Sequence, residues 1–264
     1  MGPSMLTHNP FAALAGSVPA LFMQAFLVLM VVFVAGGTLF DMLHKRSAAY
    51  FFQHRGKVRA RAQREIGGGE KMLLAAETVA EALVSGEFCN ARRRIAHLLA
   101  MYGFILYAIT TVILVFWYSE PDVTTPAILP LLWHIGALMI FVGGCWFWFF
   151  IRVDVAAEGH SPLRVVRSDL FIVLLLKSAA LALIWSWLQW MDSPLAIWAL
   201  GLYLIMTAAL FGSVPWSKFS HMFYKPAAAF QRRLEEARGS RMNLPAAADQ
   251  PETFGSTREL PRHY

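Results

Sequence analysis

The sequence is short of charge and of cysteine. Only 15% of its 264 residues are Asp, Glu, Lys or Arg, against 57% hydrophobic, whereas ordinary globular domains carry about 25% charged residues. A soluble core could absorb that excess only if the apolar residues were scattered along the chain. They fall instead into five blocks, Val18 to Phe40, Leu98 to Tyr118, Ala127 to Ile151, Leu170 to Trp190 and Leu195 to about Trp216. Each is long enough to cross a hydrocarbon layer, which takes about 20 residues of helix. There are two cysteines, Cys89 between the first two blocks and Cys145 within the third. This excludes a disulfide framework, a four-cysteine iron–sulfur cluster and covalently attached haem. The two read as unpaired apolar thiols.

Positive charge is absent from three stretches, and that absence sets an orientation. Of 23 Lys and Arg, eleven lie between Leu43 and Ala96, three in the connection after the third block and eight beyond Trp216. The residues before Val18, the loop Ser119 to Pro126 and the turn Met191 to Pro194 carry none. Their charges are Glu120, Asp122 and Asp192. The positive-inside rule puts those three stretches outside. The expected architecture is therefore all-α: an integral membrane bundle of five transmembrane helices with an outer N-terminus and a cytoplasmic C-terminus. The basic residues flank spans and do not line a groove with stacking aromatics, so nucleic-acid binding is not expected. The first block carries no preceding positive residue and exceeds a signal peptide's h-region, so it is expected to remain as a span.

Along the chain this predicts an outer segment 1–17, a first transmembrane helix 18–43, a basic cytoplasmic helical loop 44–96, a four-helix membrane core 97–221 and a cytoplasmic tail 222–264. The tail's Pro, Ala, Asp, Gln and Ser composition predicts disorder after about 239. Within the basic loop a helix is expected to run on from the first span until Gly67-Gly68-Gly69 ends it. A short amphipathic helix follows from Glu70 to Ser85. Leu73, Ala76, Val79, Ala80, Leu83 and Val84 form its apolar face, and Glu70, Lys71, Glu77 and Glu81 lie on the rest.

Ionisable residues within or at the edge of a span are costly, so each is a candidate for function. His97 opens the second span in ARRRIAHLLAMYGF, and His221 stands at the cytoplasmic exit of the fifth. Two histidines at one depth on antiparallel helices can ligate a haem iron from both faces. Set against this, a histidine beside Arg92, Arg93 and Arg94 can also be an ordinary headgroup-zone residue. His44, at the same level, reads as a plain juxtamembrane residue. His134, in the outer half of the third span, can hydrogen-bond a quinone carbonyl, although the tryptophans around it equally form an interfacial belt. Lys177 is expected near the bilayer midplane of the fourth span, with no Asp or Glu at that depth; a haem propionate, a quinone oxygen or tyrosine oxygens such as Tyr107 or Tyr203 would offset its charge, or it would shed its proton.

The run KMLLAAETVAEALVSGEFCNARRRIAHLLAMYGFILYAITT and the phrase PWSKFSHMFYKP after the fifth span resemble the b-type cytochrome membrane subunits related to the nitrate reductase gamma subunit. Within that group the nearest likeness is to the membrane anchor of adenylylsulfate reductase and the membrane subunit of the quinone-interacting oxidoreductase. The resemblance covers about residues 70 to 232. It implies His97 and His221 as haem ligands, and hence haem b with its iron held by two imidazoles. Two-haem relatives carry a further histidine on each of those helices, where this chain has Tyr107 and Tyr203. One haem is therefore implied and a second left open.

The resemblance further implies electron transfer between membrane quinone and a soluble cytoplasmic flavin and iron–sulfur oxidoreductase, adenylylsulfate reductase of dissimilatory sulfur metabolism, at a bacterial inner membrane. The chain itself would be a non-catalytic or quinone-reactive subunit. The alternatives from the residues alone are an anchor for another dehydrogenase, a haem-free scaffold, or a small-solute transporter using Lys177 and His134.

Overall fold

The computed structural model describes residues 4–44, 56, 60, 62–86, 88, 90–166, 169–216 and 221–239. Among these residues the secondary structure is entirely helical. The chain divides into two units, one of residues 1–40 and 90–219, the other of residues 41–89 and 220–264. Seven helices of more than one turn are described: α1 Ala20–His44, α2 Gly68–Leu83, α3 Ala91–Trp117, α4 Ile128–Trp146, α5 Leu170–Trp190, α6 Ala196–Gly212 and α7 His221–Arg238.

Four of these, α1, α3, α4 with its terminal π turn to Ile151, and α5, are long and apolar enough to cross a membrane. The expected fifth span is shorter than its apolar block. α6 has 17 residues, about 25 Å at 1.5 Å per residue, and it gives way to a 3-10 turn at Val214–Trp216. The physical reason is Pro215, which has no N–H to donate to the Phe211 carbonyl and so cannot continue the α-helical ladder. The apolar outer surface of the four long helices, including Val28, Val31, Val32, Phe116, Leu138 and Phe150, is what a multi-pass membrane protein presents to lipid.

Within the first unit α3, α4, α5 and α6 pack in sequence, each against the next. The α3–α4 seam is built from glycine. A Cβ on Gly136 would lie 2.7 Å from the Tyr107 backbone N, one on Gly103 2.7 Å from Met139 Cβ, and one on Gly143 2.8 Å from Leu99 Cβ. Small residues repeated along one face let helix backbones approach closely where lipid supplies no hydrophobic drive. α5 and α6 are joined by the Ser178–Thr207 hydroxyl bond, 2.7 Å, and by stacking of Trp185 on Tyr203.

The connection from α4 to α5 is held by one buried cation. Arg152 Nη1 donates to Asp169 Oδ2 at 2.5 Å, and Nη2 donates to the carbonyls of Arg164, 2.7 Å, and Pro162, 3.3 Å. The guanidinium lies 3.9 Å from the centroid of Trp148. Asp169 Oδ2 also accepts from the backbone N of Val166 at 3.1 Å. Both side chains of the pair are nearly inaccessible.

In the second unit the glycines expected to end a helix instead open one: Gly67 flanks α2, and Gly68 and Gly69 form its first turn. The amphipathic helix is present, but the face it covers is not the expected apolar one: Thr78 is its buried residue. Arg233 of α7 donates to Glu77 at 2.9 Å and also pairs with Glu81, while Leu73, Val79, Leu83 and Val84 are exposed. Arg64 adds a fork to Glu70 and a bond to the Ala237 carbonyl. Of the expected helical extension of α1, residues 56 and 60 are helical and 62–67 are not; the rest of it, the tail beyond 239 expected to be disordered, and Cys89 lie outside the described residues. Cys145 is half-buried in α4.

Candidate functional site

Asn90 begins the helix that carries the first candidate ligand: its side chain accepts from the backbone N of Arg92 and Arg93 at the N-terminus of α3. That side-chain oxygen satisfies two of the orphan donors at the start of a helix. His97 follows six residues into α3, half-buried and engaged with neighbouring groups. A helix drifts by only about 20° per heptad, so His97 shares a stripe with Phe104 and Thr111. Phe104 packs against the core cluster of Ile140, Leu174, Leu175, Ala179 and Leu210, and Thr111 is buried, accepting from Trp133 Nε1 at 2.9 Å. His97 is thus on the interior stripe of α3, at the basic end of the bundle. His221 is the first residue of α7, in the second unit. His44 ends α1 and has partners of its own.

Toward the opposite, acidic end the interior of the bundle is a packed core. Tyr107 and Tyr203 hydrogen-bond one another through their hydroxyls at 2.8 Å, and Trp133 lies 5.3 Å from the Tyr107 ring. Leu114, Val115, Trp133, Ala182 and Trp185 complete a core with no exposure at all. The places where the resemblance puts a second pair of histidines are therefore occupied by two phenols bonded to each other.

His134, 1% exposed, has both ring nitrogens in use. Nδ1 lies 2.7 Å from the Pro130 carbonyl and Nε2 2.8 Å from Ser186 Oγ. Because a carbonyl only accepts, Nδ1 donates, and the neutral ring takes the Ser186 hydroxyl proton on Nε2. A quinone oxygen at Nε2 would have to displace Ser186.

Lys177 is exposed on the outer surface of the bundle. α5 begins at Leu170, so the lysine is seven residues, about 10 Å, from the basic end and not at the midplane. Helical side chains lean toward the N-terminus, which for α5 is that same basic end, so the ammonium reaches for the headgroup level. Tyr107 and Tyr203, the interior oxygens that the sequence offered it, bond to each other instead. Among the described residues no group of three or more His, Cys, Asp or Glu is arranged to hold a metal ion. A haem iron needs only two axial donors from the protein.

The sequence did not single out the N-terminal segment, which folds over the acidic end. Asn9 Nδ2 donates to the Tyr118 carbonyl, 2.8 Å, and to Thr125 Oγ1, 2.9 Å. Asn9 Oδ1 accepts from the backbone N of Phe11 and Ala12. Phe11 meets Trp133 and Trp185 edge to face. No periodicity signals such a return. The signal available was an Asn-Pro pair followed by an aromatic in an otherwise apolar stretch.

His8, in the same segment, has a buried Nε2 with no hydrogen-bond partner. Burial holds its imidazole below the ordinary 6.5, against the opposing pull of Asp192. A lowered value in the folded state means that the released segment binds the proton more readily. Docking is therefore at full strength above about 6.5 and weakens as pH falls through the lower, folded value. Hydrogen exchange of residues 4–17, corrected for intrinsic rates, is expected to accelerate between pH 7 and pH 5 in the parent and to stay flat in His8→Gln. Equal protection at both pH values in the parent would contradict this.

Comparison with protein-family models, with curated proteins and with solved structures yields no match to this chain in any of the three.

Proposed function

We propose that the chain is a membrane electron-transfer subunit holding one b-type haem toward the cytoplasmic face, with His97 and His221 as its axial ligands. It links the quinone pool to a soluble cytoplasmic oxidoreductase. Adenylylsulfate reductase is the partner that the resemblance favours, at a bacterial inner membrane with the basic end of the bundle inside. The observation that carries the reading is the position of His97 on the interior stripe of α3, two turns from the Phe104 packing site, in place of the lipid-facing arc.

His97 fits the group: imidazole is a haem donor, and the side chain is half-buried on the stripe that Phe104 and Thr111 carry into the core. Bound there, the haem supplies one-electron transfer at a potential set by its ligands, burial and neighbouring charge. The chain's own residues do the positioning. Asn90 fixes the start of α3, the glycine seam fixes α3 against α4, and Arg92, Arg93 and Arg94 supply positive charge for propionates or for an acidic docking partner. The paired Tyr107 and Tyr203 close the other half of the bundle, which supports one haem and not two. Lys177 neutralises headgroup phosphate at the inner leaflet. His134 locks α4 to α5 through Ser186.

Purified protein is expected to carry haem that a quinol reduces and that the soluble partner exchanges electrons with. Haem that dithionite reduces but that no quinol reduces would contradict the quinone link.

A further inference from the structure

A cleft of about 340 Å³ lies at the acidic end of the bundle, between the N-terminal segment and the α5–α6 turn. Its lining includes Ser17, Trp185, Gln189, Asp192 and Ser193. Two of these side chains hold buried polar atoms without partners: the indole Nε1 of Trp185, a residue with no exposed surface, and Oε1 of Gln189. A buried donor or acceptor left unpaired forfeits its bond to water with nothing in exchange, and native structures contain few of them. Here a donor and an acceptor sit one helical turn apart on two residues that line one cleft, which Asp192 also lines.

That set asks for a ligand carrying both an anionic acceptor and a donating cation. Asp192 has its backbone at φ +50°, a left-handed geometry that few non-glycine residues adopt. The depth is that of a lipid headgroup. The cleft lies where α5 ends and α6 begins, among the exposed indoles of Trp117, Trp187, Trp190 and Trp198, the belt that marks a membrane interface.

We propose that this cleft binds the phosphoethanolamine headgroup of a membrane phospholipid. Its ammonium donates to Gln189 Oε1 and to the Asp192 carboxylate, and its phosphate accepts from Trp185 Nε1–H and the Ser17 hydroxyl. The inference rests on the helices crossing a bilayer and does not depend on haem.

The test is native mass spectrometry of the full chain titrated with phosphatidylethanolamine, phosphatidylcholine and phosphatidylglycerol. Phosphatidylcholine keeps the positive charge but has no N–H to donate. One hydrogen bond of about 1.4 kcal/mol is worth about tenfold. Phosphatidylethanolamine is therefore expected to bind about tenfold more tightly than phosphatidylcholine. Gln189→Leu and Asp192→Asn are each expected to shrink that preference while melting as the parent does. Soluble phosphoethanolamine is expected to displace the bound lipid. Equal binding of the ethanolamine and choline lipids, an undiminished preference in both variants, or uptake of phosphoethanolamine without the lipid would each overturn the proposal.

Discussion

Arg152→Ala is expected to destabilise the membrane unit by about 3–5 kcal/mol, the cost of leaving one member of a buried pair uncompensated. Asp169 is nearly inaccessible, and its remaining partner is a single backbone N–H at Val166. The same change orphans the carbonyls of Arg164 and Pro162 and removes the guanidinium from the Trp148 face. Asp169→Asn keeps the shape but leaves the Arg152 charge without its counter-ion, so it too is expected to be severe. Replacing both residues by leucine is expected to cost less than Arg152→Ala alone, since no isolated charge remains. Thermal unfolding in detergent, followed by helical circular dichroism, measures all three. An Arg152→Ala variant that melts with the parent would show that the α4–α5 connection is held by something else.

The second large effect concerns the haem. His97→Ala is expected to abolish the reduced-minus-oxidised absorbance bands while leaving the helical signal intact. The six residues before His97 start the helix through the Asn90 cap and not through the imidazole. His221→Ala is expected to do the same. His134→Ala is expected to keep the bands and lower stability instead, by about 1–3 kcal/mol, because it leaves the buried Ser186 hydroxyl without its acceptor. Bands that persist in both His97→Ala and His221→Ala would remove these residues from the ligand set.

What was legible in the sequence was what depends on local pattern. Four long apolar helices follow from hydropathy, and α2 follows from the spacing of Leu73, Val79 and Leu83. The shortening of α6 was also written there, in Pro215, but an apolar run masks a break when only hydropathy is read. The pairing of the half-exposed Glu77 and Glu81 with Arg233 was not legible, because Arg233 comes 156 residues after Glu77 and nothing local says which side of an amphipathic helix it will satisfy. Lys177 was misplaced in depth although block and helix share the bounds Leu170–Trp190: it stands seven residues from the basic end and thirteen from the other, not midway. The role of His134 turned on Ser186 and Pro130, and the acidic-end cleft on a segment that returns across the bundle through Asn9. Those are long-range pairings with no period to betray them. Tyr107 and Tyr203 were visible only as the absence of two histidines, and their bond to each other is what gives that absence a physical meaning.

The most direct measurement is a pyridine haemochrome assay on the purified full-length chain, expressed as haem per polypeptide. One b-type haem per chain is the expected value. A chain that takes up none when haem is plentiful, or that holds two, would contradict the account.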